Sequence, residues 1–145
     1  MTDTIDTYQK QVVPNENIMA TQNVKTSFVH NEYRGYEILE FVKPYVRTSQ
    51  KLSFSADVKL SEPGELLFYT LGRYYINGCR REVYKINGTD WHHGKIEGTT
   101  VVYNPNELNG ERCTLSFYCT YGTGIAPTVK NIKIELGNKV TPYIE

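Results

Sequence analysis

Beyond residue 50, hydrophobic and polar residues alternate with a period of two. In the segment 51–60, Leu52, Phe54, Ala56, Val58 and Leu60 share one parity, while Lys51, Ser53, Ser55, Asp57 and Lys59 share the other. Successive side chains of a strand point to opposite faces, so this pattern predicts a strand with one face in the core and one in water. Ser61-Glu62-Pro63-Gly64 then supplies the residues of a turn. Residues 113–121 repeat the pattern with Leu115, Phe117 and Cys119 on one face, and 130–136 places Ile132, Ile134 and Leu136 inward with Lys133 and Glu135 outward. The denser apolar run 65–71 predicts a strand covered on both faces, and 82–86 and 99–103 predict shorter strands. Residues 36–46 read as a strand or strand pair interrupted at Pro44, which lacks an amide N–H and suits an edge or a bend.

Turn signals separate these runs: Asn77-Gly78, Asn87-Gly88, Asn104-Pro105, Asn109-Gly110, Gly122-Thr123-Gly124 and Gly137-Asn138. Asn-Gly tolerates positive φ and marks hairpins. No helical periodicity extends beyond about two turns. Roughly seven to nine short strands with almost no helix predict an all-β fold, an antiparallel β-sandwich or jelly roll. The first 14 residues are polar and end at Pro14; they read either as a flexible terminus or as a docking arm, leaving 15–145 as one module.

Composition narrows the function. The 145 residues suit one domain, and sixteen basic residues balance sixteen acidic ones. A chain without a basic field is poorly matched to nucleic acid. No apolar run reaches the ~18 residues that span a bilayer, and the polar N-terminus has no apolar signal core. The odd count of three cysteines, Cys79, Cys113 and Cys119, contains no C-x-x-C pair and argues against a zinc site or disulfide framework. In one strand Cys113 and Cys119 would stand about 20 Å apart, too far to bridge. They read as reduced, with Cys119 a small core residue.

Catalytic signatures are missing. There is no G-x-S-x-G elbow and no H-E-x-x-H, and Gly122-Thr123-Gly124 opens no helix. His92 and His93 are adjacent, so in a strand they face opposite ways and cannot share a metal. Glu40, Glu82, Glu97 and Glu135 include no marked pair for glycoside hydrolysis. Asn87-Gly88-Thr89 matches an N-glycosylation pattern but reads better as a hairpin turn. The expectation is a protein that is not an enzyme and needs no cofactor.

The C-terminal run Thr128-Val129-Lys130-Asn131-Ile132-Lys133-Ile134-Glu135-Leu136-Gly137-Asn138-Lys139-Val140-Thr141-Pro142-Tyr143 resembles the closing strand of carbohydrate-binding-module-like jelly rolls in phage tail, baseplate and decoration proteins. Asn15-Glu16-Asn17-Ile18-Met19 resembles the opening of such modules, and 51–60 and 114–119 resemble two of their inner strands. The resemblance implies a virion component, multimeric on the particle. It would be attached to other virion proteins through the arm, and its host-surface partner would be polysaccharide, with neither nucleic acid nor membrane as partner. It also implies a structural calcium near the first and last strands, with Glu16 or Glu135 as the acid.

Sugar recognition needs aromatic faces and planar polar groups. The candidates are Trp91, Tyr33, Tyr36, Tyr74, Tyr75, Arg73 and His92, all in segments between or beside the predicted strands. Twelve of the eighteen aromatic residues are tyrosine. Together with Arg73, Arg80 and Arg81, these tyrosines also suit a protein–protein contact. The competing expectations are therefore a purely structural decoration or adaptor protein without a glycan site and, more remotely, a carbohydrate-active enzyme.

Overall fold

The computed structural model describes residues 17–19, 25–76 and 81–142. The proposed arm, Glu16, Asn77-Gly78, Cys79 and Arg80 lie outside the described residues. Strand β1 is Asn17–Met19, β2 Lys25–His30 and β3 Tyr33–Glu37; the short helix α1, Leu39–Val42, leads into a 3-10 turn at Lys43–Tyr45. Then follow β4 Leu52–Leu60, β5 Gly64–Leu71, β6 Tyr74–Ile76, β7 Arg81–Ile86, β8 His92–Thr99, β9 Val101–Tyr103, β10 Thr114–Cys119 and β11 Pro127–Leu136.

Four strands form one sheet in the order β1-β11-β4-β8, and five form the other in the order β2-β3-β10-β5-β7; β6 and β9 make a separate ribbon. Every described pair is antiparallel. The fold is the antiparallel β-sandwich that the alternation predicts. Leu52, Phe54, Ala56, Val58 and Leu60 from one sheet meet Leu66, Phe68, Leu115, Phe117 and Cys119 from the other in a single core. Phe68 and Phe117, opposite each other in register, stack at 4.8 Å. Burying each such ring contributes about 2–3 kcal/mol. Among the described residues no helix is long and apolar enough to cross a membrane.

Three expectations change. Residues 36–46 are not a strand pair: β3 stops at Glu37, and α1 and the 3-10 turn follow. Ile38 and Val42, four apart, are both fully buried, a helical spacing that the strand reading overlooks. Cys113 precedes β10 rather than lying in it. Burial pushes the thiols of both Cys113 and Cys119 up, that of Cys119 to about 11, so both stay protonated at neutral pH. Lys133 and Glu135 do lie on the outward parity of β11, yet they are buried, because residues 140–142 fold back over them.

Gly72 shows why the ribbon turns where it does. At its φ of +125° a Cβ would stand 2.1 Å from the Arg112 carbonyl oxygen. Only glycine lets the chain leave β5 so close to the segment that precedes β10.

Candidate functional site

Register across the five-stranded sheet builds a row at right angles to the strands. Tyr118 of β10 stands opposite Tyr33 of β3 on one side and Leu67 of β5 on the other, and Val83 of β7 stands opposite Leu67. All four share the parity opposite to core residue Phe117, so the row lies on the outer face. At ~4.8 Å between strands it spans about 15 Å. Tyr33 and Tyr118 meet at 6.4 Å between ring centroids with planes tilted by 59°. Tyr33 is buried, Leu67 and Tyr118 are half-buried, and Val83 is 51% exposed.

The next row deepens the face. It runs Gly35, Ser116, Tyr69 and then the backbone position of Arg81. A Cβ on Gly35 would lie 2.6 Å from the Tyr33 hydroxyl oxygen, so the missing side chain is what lets the Tyr33 ring lie down on the sheet. There its hydroxyl shares a 2.8 Å hydrogen bond with Ser116 Oγ. Burial pushes the Tyr33 hydroxyl above the usual tyrosine range, with the Ser116 bond opposing it, so the group is neutral and can donate or accept. The third row holds Glu37, Thr114 and Leu71, and the Thr114 hydroxyl donates to Glu37 at 3.1 Å. The face thus combines an aromatic and aliphatic row with one half-buried carboxylate, while the Tyr33, Ser116 and Thr114 hydroxyls lie buried.

The other predicted residues are dispersed. Tyr36 points inward, its ring edge-on to Phe117 at 5.9 Å. His92 also turns inward, against Tyr84 at 4.7 Å, and its Nε2 is a buried atom without a hydrogen-bond partner. His93 turns outward to Asp57, so the two histidines face opposite ways as the alternation requires. Arg73 and Tyr74 come together at the ribbon: Arg73 pairs with Glu111 at 3.1 Å and Nε donates to the Glu107 carbonyl, while Tyr74 packs on Tyr103 at 4.7 Å. The Tyr103 hydroxyl donates to the same Glu111 carboxylate and holds its pKa below the usual range. Tyr75, next along β6, is half-buried. Trp91 sits 42% exposed in the loop before β8, beside the outer face of the four-stranded sheet. Of the predicted set, only Tyr33 belongs to the transverse row. Sequence reading missed Tyr118, Leu67, Tyr69 and Ser116, because the outward parity of β5 and β10 becomes a surface only once β3 and β7 are paired beside them.

Metal chemistry has little support in these side chains. Among the described residues no three His, Cys, Asp or Glu side chains gather to hold an ion. Glu135 accepts from the Thr141 N–H and hydroxyl and lies 3.6 Å from the Lys133 ammonium. A carboxylate so engaged beside a buried cation does not fit the calcium role.

Compared with models of protein families and with curated proteins, the sequence matches none. Among solved structures it is similar to the CBM22-1 xylan-binding domain from Paenibacillus barcinonensis Xyn10C, with 14% identity and a TM-score of 0.43, over 88% of this chain and 98% of that one.

Proposed function

We propose that the protein is a non-catalytic glycan-binding module of a phage virion, which presents the outer face of its five-stranded sheet to surface polysaccharide of the host. One observation supports the binding role above the rest: Tyr118, Leu67 and Val83, continued by the buried Tyr33 ring, form a row across four strands, with the half-buried Glu37 carboxylate two rows away. Pyranose C–H faces pack against aromatic rings, and sugar hydroxyls donate hydrogen bonds to carboxylates. The row crosses the strands, so an extended oligosaccharide lies along it as a chain rather than end-on. The virion setting rests on the resemblance of 128–143 to phage modules, and attachment is assigned to residues 1–14. Each contact is weak, and many copies on one particle give firm adsorption by avidity.

A glycan array probed with the purified protein tests the reading. The Tyr33→Ala/Tyr118→Ala double variant is expected to lose binding while keeping its far-ultraviolet spectrum. Absence of any glycan signal from the intact chain favours the adaptor alternative, and release of reducing ends from a bound polysaccharide would show an enzyme.

A further inference from the structure

The outer face of the four-stranded sheet carries a second, differently charged cluster. Lys130 Nζ lies 4.0 Å from the centroid of the Trp91 ring and Lys59 Nζ 5.8 Å from it. The two lysines stand on the neighbouring strands β11 and β4, and among the described residues neither forms an ion pair. The acid opposite Lys130 in register, Asp57, is already engaged: Asn131 Nδ2 donates to one oxygen at 2.9 Å and His93 Nδ1 meets the other at 2.9 Å. Asp90, beside Trp91 in sequence, is exposed on the loop. The face therefore joins an open indole to two exposed ammonium groups that make no direct ion pair, although Lys130 feels the Asp57 charge across the sheet.

We propose that this cluster is a second binding site, independent of the five-stranded face, and that it takes an acidic pyranose, a hexuronate. Both ammonium groups lie close to one indole ring, so an anion that reaches both must be carried on the same sugar that packs against Trp91. A hexuronate meets that condition because its carboxylate is bonded directly to the pyranose ring. A neutral sugar offers these two ammonium groups no charge-assisted hydrogen bond, whereas a carboxylate does. The ammonium of Lys130 is held over the ring by cation–π attraction, and its flexible stem lets it swing to the edge as the carboxylate arrives.

Trp91 is the only tryptophan in the chain, so intrinsic fluorescence reads this site directly. The probes are tetragalacturonate, its methyl ester and inorganic phosphate, each titrated at low salt. Tetragalacturonate is expected to shift the emission saturably, with the ester and phosphate much weaker and the response reduced by added salt. The Lys59→Gln/Lys130→Gln variant, altered only at exposed positions, is expected to bind about tenfold more weakly or worse. The Tyr33→Ala/Tyr118→Ala variant is expected to give the wild-type titration, which separates this site from the one proposed above. The proposal is overturned if tetragalacturonate leaves the emission unchanged, if the ester or phosphate matches it, or if the double lysine variant binds as well as the wild type.

Discussion

Thr141 donates both its backbone N–H and its hydroxyl to the carboxylate of Glu135, at 3.1 and 2.7 Å. The Lys133 ammonium bonds the same hydroxyl at 2.5 Å and the Pro142 carbonyl at 3.1 Å. The C-terminal segment is thereby fastened across the four-stranded sheet over a buried ion pair, and Glu97 takes the Val140 N–H at 2.7 Å as a further fastening. Glu135→Ala leaves the buried Lys133 without its counter-charge and is expected to cost about 3–5 kcal/mol. Replacing both partners, Lys133→Met/Glu135→Leu, is expected to recover most of that loss. Urea denaturation of the three proteins checks it; a double variant as unstable as the single would show that the pair itself is not the cause.

Tyr84 closes the open side of the sandwich. Its hydroxyl donates to the Lys95 carbonyl at 3.0 Å and accepts from the Lys95 N–H at 2.9 Å, satisfying both groups on the free edge of β8 from the opposite sheet. Unpaired edges invite pairing with other chains. Tyr84→Phe is expected to lower stability by about 1–2 kcal/mol and to speed exchange of the Lys95 amide with deuterium. Unchanged exchange at that amide would mean the hydroxyl does not protect the edge.

The long alternating runs were legible because each buries one parity in a single core. Leu52 through Leu60 and Ile132 through Leu136 lie in the core as the pattern demands. What stayed hidden depends on partners distant in sequence. Glu135 reads as a solvent residue until Thr141 is folded onto it. Tyr118 reads as ordinary outward strand chemistry until the register sets it between Tyr33 and Leu67. Trp91 was legible as a candidate between predicted strands, and it does stand exposed in the loop before β8. The lysines over its ring come from strands 30 or more residues away, and no local pattern announces them.

Gly35→Ala tests whether the posture of the Tyr33 ring matters. The added Cβ falls 2.6 Å from the Tyr33 oxygen and 2.9 Å from a ring carbon, so the ring must tip and the Ser116 bond must break. The lost bond is expected to cost about 1 kcal/mol. Affinity for any glycan bound by the wild type is expected to fall roughly tenfold, because the row is no longer level. A calorimetric titration that finds full affinity would show that the ring's posture is irrelevant to binding.

Asp57 links acid stability to the Trp91 cluster. Partial burial raises its pKa, but hydrogen bonds from Asn131 and His93 and the nearby charges of His93 and Lys130 outweigh burial and hold it below the usual carboxylate range. A depressed carboxylate stabilises the fold at pH values above its unfolded pKa of about 3.9, and that contribution fades as pH falls through the lower folded value. Asp57→Asn cannot titrate, and its amide cannot satisfy Asn131 and His93 as a carboxylate does. The wild type is therefore expected to exceed Asp57→Asn in stability at neutral pH, with the gap narrowing below about pH 4 as the wild-type carboxyl becomes neutral too. Paired urea titrations across that range, followed by Trp91 fluorescence, measure the gap directly. A gap that stays constant or widens on acidification would mean that Asp57 is not held in its charged form by these neighbours.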